Sequence, residues 1–474
     1  MATKDERELY HEALAGRLSR REVLQRGLAL GMAYPAIAIL LAACGAQAPG
    51  GSASAPGASQ AGASPAGSVK PSATQLDFVV WSYSVETIQA NIKEWEAQDQ
   101  AATVKLSDYP WNAYHETMVQ RFTSNTPTDV LYNGGDWLPE FAKAGWVVPI
   151  EDKLDFGKYR DQIVGYALAD MTYNGKVYGL PYYADIVSFI WNPTVAKKYG
   201  VDRAPDTWED VAAMATSMQG KGLDKPVIWE FAQTLPTSLE TFTAMVMSRG
   251  GELFDEAYEP IFEDASSPGF QQLEFMAKSV KDGFAVISPH ETDVAKAMNT
   301  GQNAFTVLYN YNLAALNNKG TSPLAGQFEL AMMPGKTHET LGFAKFYNMT
   351  QMAVDRGGDV TGAAARFIES FGGAPTGEYT VAKRWAVEKG LGFGQLPLFD
   401  DADVQKSFAT WVDVAKLKEQ EKIARAKRQT VWTGIWGEKM RVQMGKALAG
   451  EVSVADALKG AADEARALKQ QYGA

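Results

Sequence analysis

"NGKVYGLPYYADIVSFIWN" occupies residues 174–192. Asn174-Gly175 marks a turn, Lys176-Val177-Tyr178 a short strand, and the run that follows to Trp191 a long apolar strand. Working outward, the chain before it alternates between two periods. "LDFVVW" (76–81) is a buried strand. "VETIQANIKEWEAQ" (85–98) places Ile88, Ile92 and Trp95 on one helix face. "TVKLS" (103–107) is a strand, and "WNAYHETMVQRF" (111–122) puts Trp111, Tyr114, Met118 and Phe122 on one helical stripe. "DVLY" (129–132) is a strand and "DWLPEFAKAG" (136–145) a short helix ending in Gly. Alternation with short links predicts a parallel sheet covered on both faces. In such sheets ligands lie at the carboxyl ends of the strands. Trp81, Pro110-Trp111 and Asn133–Asp136 fall there.

Downstream the mixture continues. "TWEDVAAMATSMQ" (207–219) is a helix with Thr207 as N-cap and Asp210 three residues on, close to a capping box. Helices are expected over 291–299, 359–371 and 377–389, strands over 303–309 and 327–332, and two closing helices around Gly450. No internal repeat is evident.

A chain of 474 residues exceeds one simple core and points to two domains or lobes. Its 12 Trp, 19 Tyr and 21 Phe are ample for a large interior, and its net charge of −11 argues against nucleic acid or an anionic membrane surface as the main partner. The single cysteine, Cys44, excludes an intramolecular disulfide and thiolate-rich zinc sites.

The N-terminus supplies a compartment. "SRREVLQR" (19–26) precedes the uncharged "GLALGMAYPAIAILLAA" (27–43), the layout of an export signal. Arg20-Arg21 with Val23-Leu24 resembles the twin-arginine pattern, Val23 standing where that pattern prefers Phe, so the general secretory route stays open. Leu41-Ala42-Ala43-Cys44 resembles the bacterial lipobox, in which small residues fit the peptidase groove and the thiol accepts a diacylglyceryl group. Residues 1–43 are therefore expected to be a signal peptide and Cys44 a lipidation site. Residues 45–74, rich in Ala, Ser, Gly and Pro with Lys70 as the one charge, have little to bury and are expected to be a disordered tether reaching ~30 Å. The expected location is the outer face of the cytoplasmic membrane, extracytoplasmic or periplasmic.

Catalytic patterns are sparse. The four His (His11, His115, His290 and His338) form no HExxH pair. "PGKT" (334–337) lacks the upstream Gly of a phosphate loop, which is Leu330 here. Gly392-x-Gly394 lacks its third Gly, and there is no GxSxG elbow. Asp400, Asp401 and Asp403 lack EF-hand spacing and read as a solvated acidic turn. No catalytic residue, metal or cofactor is expected, although a glycosidase's two carboxylates can lie far apart in sequence and leave no local motif.

Over most of residues 76–474 the chain resembles the extracellular solute-binding proteins of bacterial ABC importers, and within them the carbohydrate-binding group that includes maltose-binding protein. "NGKVYGLPYYADIVSFIWN" resembles the family's "DGKxYGLPxxxxxxxLxYN". "TPTDVLYNGGDWLPEFAKAGWVVPIED" (126–152) resembles "APDVV…FAxxGxLxPL". "ANIKEWEAQ", "TWEDVAAMA", "AMNTGQNAFTVLYNYNLAAL" and "GKALAGEVSVADALKGAADEARAL" follow in the family's order. The resemblance implies an α/β, two-lobed periplasmic-binding-protein-like fold, each lobe a sheet flanked by helices, joined by crossing strands with a ligand cleft between. Carried over, lobe one is 75–185 plus 342–396 and lobe two 186–341 plus 397–474. It implies a monomeric, non-enzymatic receptor that captures a small molecule, a sugar, oligosaccharide or polyol, and hands it to ABC permease subunits.

A sugar needs aromatic platforms for its C–H faces and fixed partners for its hydroxyls. By resemblance the contacts fall on Trp81 and Tyr83 after the first strand, on Asn133, Asp136 and Trp137 after the third, and on Asp185 at the first crossing. Tyr311 falls where many members carry a stacking Trp, with Tyr309 beside it. Phe343 lies near the second crossing, and Trp432 or Trp436 matches a C-terminal stacking aromatic. Bland readings stand beside these. Trp111 shares its stripe with Met118 and suits core packing as well as contact. Trp229-Glu230 is either a strand-end platform with an acceptor or a sheet edge. Asp136 could simply cap the following helix. "LYNYN" (308–312) and "LGFAKFYN" (341–348) depart from the family's "D-G-P-W" and "G-G-W". The second places Lys345 near the cleft, either as a mark of an acidic ligand or, the preferred reading, as a hinge-surface charge.

Overall fold

The computed structural model describes residues 73–473. The export signal, Cys44 and almost all of the tether lie outside the described residues. By internal contacts, Tyr109–Thr128 separates from the larger unit formed by Thr74–Asp108 and Asp129 onward. The smaller segment carries helix Trp111–Thr123, which buries Tyr114, Met118 and Phe122 and leaves Trp111 50% exposed.

The expected strands and helices form with ends shifted by a few residues. In chain order the strands are β1 (Thr74–Trp81), β2 (Ala102–Tyr109), β3 (Val130–Gly134), β4 (Thr172–Tyr173), β5 (Lys176–Val177), β6 (Gly179–Trp191), β7 (Val227–Glu230), β8 (Ala285–Ser288), β9 (Phe305–Tyr309), β10 (Glu329–Ala331) and β11 (Gly342–Met349). β4 and β5 make a small hairpin, and the others join in the order β2-β1-β3-β11-β6-β9-β7-β8, with β10 also on β6.

The parallel pairing expected from the first strands is present between β1 and β3, while the sheet as a whole is mixed. β1 with β3, and β7 with β8 and β9, run parallel. β11 runs antiparallel to β3 and β6, and β6 antiparallel to β9 and β10. The reason is β6 itself. Its first part, Gly179–Ile186, pairs with β11 in one half of the sheet, and its second part, Val187–Trp191, pairs with β9 in the other. A strand that leaves one half beside another that enters it must run antiparallel; only strands returned by a crossover helix run parallel.

Each half has its own aromatic core. In the first, Phe78 packs edge-on against Tyr132 and Phe367, and Trp95 against Phe367. In the second, Trp208 meets Trp229 and Phe189, while Phe254 meets Trp432 and Trp436. Helices start where capping chemistry allows. Thr207 accepts the Asp210 N–H at 3.0 Å to open helix Trp208–Gly220, and Ser453 does the same for Asp456 ahead of helix Val454–Tyr472. Gly450, at φ +73°, turns the chain between helix Thr433–Leu448 and that last helix. Among the described residues no helix is long and apolar enough to cross a membrane.

Candidate functional site

The site grows from the end of β3. Gly134 lies opposite Lys345 of β11 in the strand register. A Cβ on Gly134 would meet Lys345 Nζ at 2.7 Å, and one on Gly135 would meet Asp170 Oδ1 at 2.0 Å. The two glycines thus let a lysine and a carboxyl lie directly on the loop backbone. Asp136 follows. It makes no cap for helix Leu138–Lys143. It is held instead between two ammonium groups, Lys427 Nζ at 2.6 Å from Oδ1 and Lys345 Nζ at 3.4 Å from Oδ2.

Lys427 also reaches Glu240 Oε1 at 2.7 Å, and Glu240 accepts the Tyr309 hydroxyl. Glu240 rides on helix Pro236–Ser248 and Tyr309 ends β9, both in the second half of the sheet. The chain Lys345–Asp136–Lys427–Glu240–Tyr309 therefore links the two halves. Burial pushes the Asp136 carboxyl up, but Lys427 and Lys345 together outweigh it and hold the group well below the usual carboxylate range. Beneath the loop, Asp170 accepts the Ala344 N–H and the Gln429 amide, each at 2.8 Å. Burial raises it to about 6 against the pull of the Ala344 hydrogen bond.

Aromatic faces surround this chain. Lys345 Nζ lies 5.8 Å from the centre of the Trp137 ring and 5.7 Å from that of Phe343. Phe343 meets Tyr183 and Tyr309 edge-on, and Tyr309 stacks on Tyr311 at 5.4 Å. Trp137 meets Trp81 edge-on at 6.5 Å. The Tyr311 hydroxyl bonds Glu291, which also takes the Asn312 amide at 2.9 Å. Of the sequence candidates, then, Trp81, Asp136, Trp137, Tyr309, Tyr311 and Phe343 come together.

The others are placed differently. Tyr83 is 40% exposed, with Trp385 beside it at 6.2 Å. Asn133 is buried, donating to Asn348 at 2.6 Å across the β3–β11 pair. Asp185 is buried with both oxygens engaged by backbone, Oδ1 by Ile186 N–H at 2.9 Å and Oδ2 by Tyr311 N–H at 3.3 Å. Burial raises it to about 7. Glu230 is buried at the end of β7, accepting from Thr237 at 2.9 Å and from Ser238. Burial raises it to about 7, with Glu291 adding to the rise. Trp229 and Trp432 are core residues whose indole N–H groups are satisfied internally, by Ser279 at 2.9 Å and the Gly473 carbonyl at 2.8 Å. Lys345 is only 7% exposed. The preferred sequence reading of a hinge-surface charge is thereby corrected: two strands and the Asp136 loop enclose it. Among the described residues no group of three or more His, Cys, Asp or Glu is placed to hold a metal ion.

Lys427, Glu240, Asp170, Gln429 and Glu291 went unnoticed in the sequence. Lys427 sits in "KIARAKRQT", which reads as a solvated charge run.

The family described as bacterial extracellular solute-binding protein matches residues 81–369, well over half of the chain. The chain belongs to that family. A relative from Sinorhizobium fredii, named "Probable amino-acid ABC transporter periplasmic-binding protein", is 26% identical over 174 residues, 34% of this chain and 37% of that one. The chain spans about half the length of the first curated relatives it matches. Among solved structures, maltose-bound MalE3 of T. maritima has a TM-score of 0.70 at 17% identity, covering 84% of this chain and 100% of that one. A solute-binding protein of Agrobacterium vitis with bound D-mannitol has a TM-score of 0.65 at 19% identity, covering 85% of this chain and 99% of that one. These likenesses establish the two-lobed solute-binding-protein fold expected from the sequence. Within that fold β6 is the strand shared by the two halves, and the Asp136–Lys427–Glu240 bridge spans them. The family is one of solute-binding proteins, and the A. vitis neighbour is described as an ABC transporter solute-binding protein.

Proposed function

We propose that this solute-binding protein is a lipid-anchored extracytoplasmic receptor. It captures a carbohydrate (a sugar, oligosaccharide or polyol) between two closing lobes and delivers it to an ABC importer. The observation that carries the reading is the meeting of aromatic faces with charged hydrogen-bonding groups from both halves of the sheet: Trp137 and Phe343 beside Asp136 and Lys345, and Tyr311 beside Glu291. Flat apolar faces suit sugar C–H surfaces, and fixed charges suit hydroxyls. Capture at micromolar affinity requires about 8 kcal/mol, within reach of a few such contacts.

In this reading the lobes are 75–185 plus 342–396 and 186–341 plus 397–474, and the receptor works as a monomer. Ligand contacts to both lobes shift the population from open to closed. Trp81, Asp136, Trp137, Tyr309, Tyr311 and Phe343 line the ligand, while Asn133, Asp185, Trp229 and Trp432 support it. Cys44 carries the lipid, which fits the lipobox at the end of an apolar run.

The name of the S. fredii relative favours an amino acid as a second reading. Thermal-shift screening against mono- and oligosaccharides, polyols and the amino acids separates the two. Stabilisation by a carbohydrate is expected; stabilisation by amino acids alone would replace the first reading with the second.

A further inference from the structure

An ammonium group has three N–H donors. Lys427 uses two of them, on Asp136 Oδ1 at 2.6 Å and Glu240 Oε1 at 2.7 Å, one carboxylate from each half of the sheet. Its side chain is 23% exposed, and among the described residues no third acceptor bonds it. One donor therefore remains, on a group fixed between the two walls of the site.

The charge around that donor is already balanced. The cations in this field are Lys345, Lys427 and Arg441, the last donating Nε–H to the Gln233 carbonyl at 2.9 Å. Against them stand Asp136, Glu240 and Glu291, before Asp170, Asp185 and Glu230 are counted. Glu230 and Glu291 have hydroxyl and amide partners in place of cations. An anion within hydrogen-bond distance of Lys427 also approaches Asp136 and Glu240, so their repulsion offsets the pull of the ammonium. A hydroxyl or ether oxygen accepts the same N–H without that repulsion.

We infer that Lys427 is the specificity-determining residue of this site: it gives its third N–H to an uncharged oxygen of the solute, while Asp136 and Glu240 turn anionic solutes away. The inference rests on the carbohydrate reading above and adds a residue and a charge rule to it.

The test is titration calorimetry on the purified protein. A panel of neutral sugars and polyols, maltose and D-mannitol among them, is set against glucuronate and glucose 6-phosphate. Wild type is expected to bind a neutral member at least about tenfold more tightly than either anion, the scale of one charged hydrogen bond. Lys427→Met should weaken neutral binding about tenfold or more, and Lys427→Arg should restore most of it. Glu240→Gln, which removes a negative charge and keeps an acceptor, should improve anion binding about tenfold. Thermal melts establish that each variant is folded, and the Arg and Gln variants decide the matter should the Met variant not fold. Anion binding by wild type as tight as neutral binding, or neutral binding unchanged in folded Lys427→Met, overturns the inference and leaves the carbohydrate reading standing. Binding of no carbohydrate, neutral or charged, overturns both.

Discussion

Asp185 Oδ2 accepts the backbone N–H of Tyr311 at 3.3 Å, fastening the strand shared by both halves of the sheet to the start of helix Asn310–Leu316. The other oxygen takes the Ile186 N–H. The residue acts here as a fastener at the strand's change of partner, where the sequence suggested a ligand contact. Truncation to Ala leaves two buried N–H groups unpaired, at about 1–3 kcal/mol each. Asp185→Ala is expected to lower unfolding free energy by at least one such increment in urea titration, and to weaken any ligand held by Tyr311.

The same carboxyl gives stability a pH dependence. Burial raises it to about 7 in the folded protein, far above its value in an unfolded chain. The native state then binds more protons than the unfolded state between these two values. Asp185's contribution is therefore greatest in acid and falls as pH rises from about 4 to 7, by something on the order of a few kcal/mol. Asp170 at about 6 and Glu230 at about 7 have the same sign. Asp136, held low by its lysines, has the opposite sign and loses its contribution only below the ordinary carboxylate range. Urea unfolding at pH 5 and pH 8 is expected to show lower stability at pH 8, with a smaller difference in Asp185→Asn. Equal stability of the wild type at both pH values would refute this.

Gly135 has no room for a side chain. A Cβ there would meet Asp170 Oδ1 at 2.0 Å and Gln429 Nε2 at 2.6 Å. Gly135→Ala must therefore push Asp170 off the Ala344 amide or move the Asp136 loop. Overpacking of this kind costs about 1–3 kcal/mol. Asp136 should move with the loop, so ligand affinity should fall together with the melting temperature. Gly145→Ala, in open space, is the control for the chemical change alone, with strain from its φ of +71° but no collision.

Much of the fold could be read from the chain because it rests on local periodicity. Ile88, Ile92 and Trp95 are buried on the face their spacing predicted, and Thr207 caps its helix as its sequence context suggested. The sheet's mixed direction was hidden because pairing partners are remote: β6 and β11 lie more than 150 residues apart. The Lys427 bridge was hidden for the same reason, joining residues 136, 240 and 427 from three stretches with no shared motif. Aromatic identity was equally silent about direction. A Trp at a strand end reads alike whether its ring faces the site or the interior, and only the partner of its indole N–H tells them apart.

Burial separates Trp137 from Trp432. Trp432 is fully buried against Phe254 with its N–H bonded to Gly473, so Trp432→Ala should cost about 3–5 kcal/mol. Trp137 is only partly buried and offers its ring to Lys345. Trp137→Ala should shift the melting temperature far less while reducing ligand affinity markedly. Reversal of this pattern, with Trp432→Ala well folded and binding-defective, would return Trp432 to the ligand site.

Cys44 supplies the last prediction. It ends Leu41-Ala42-Ala43, ahead of some thirty residues rich in Ala, Ser and Gly. A lone thiol at the junction of an apolar run and a chain segment with little to bury has no core to join. In the proposed reading lipid attachment uses it there, and an acyl chain adds about 0.8 kcal/mol of membrane affinity per buried methylene. Cys44→Ser is expected to move the protein from the membrane fraction to the medium or leave it unprocessed, by fractionation and mass spectrometry of the N-terminus. Ligand affinity of the purified variant should match wild type, because the proposed ligand residues begin only at Trp81. Membrane retention with an intact, unmodified serine would overturn the anchor while leaving the binding site as described.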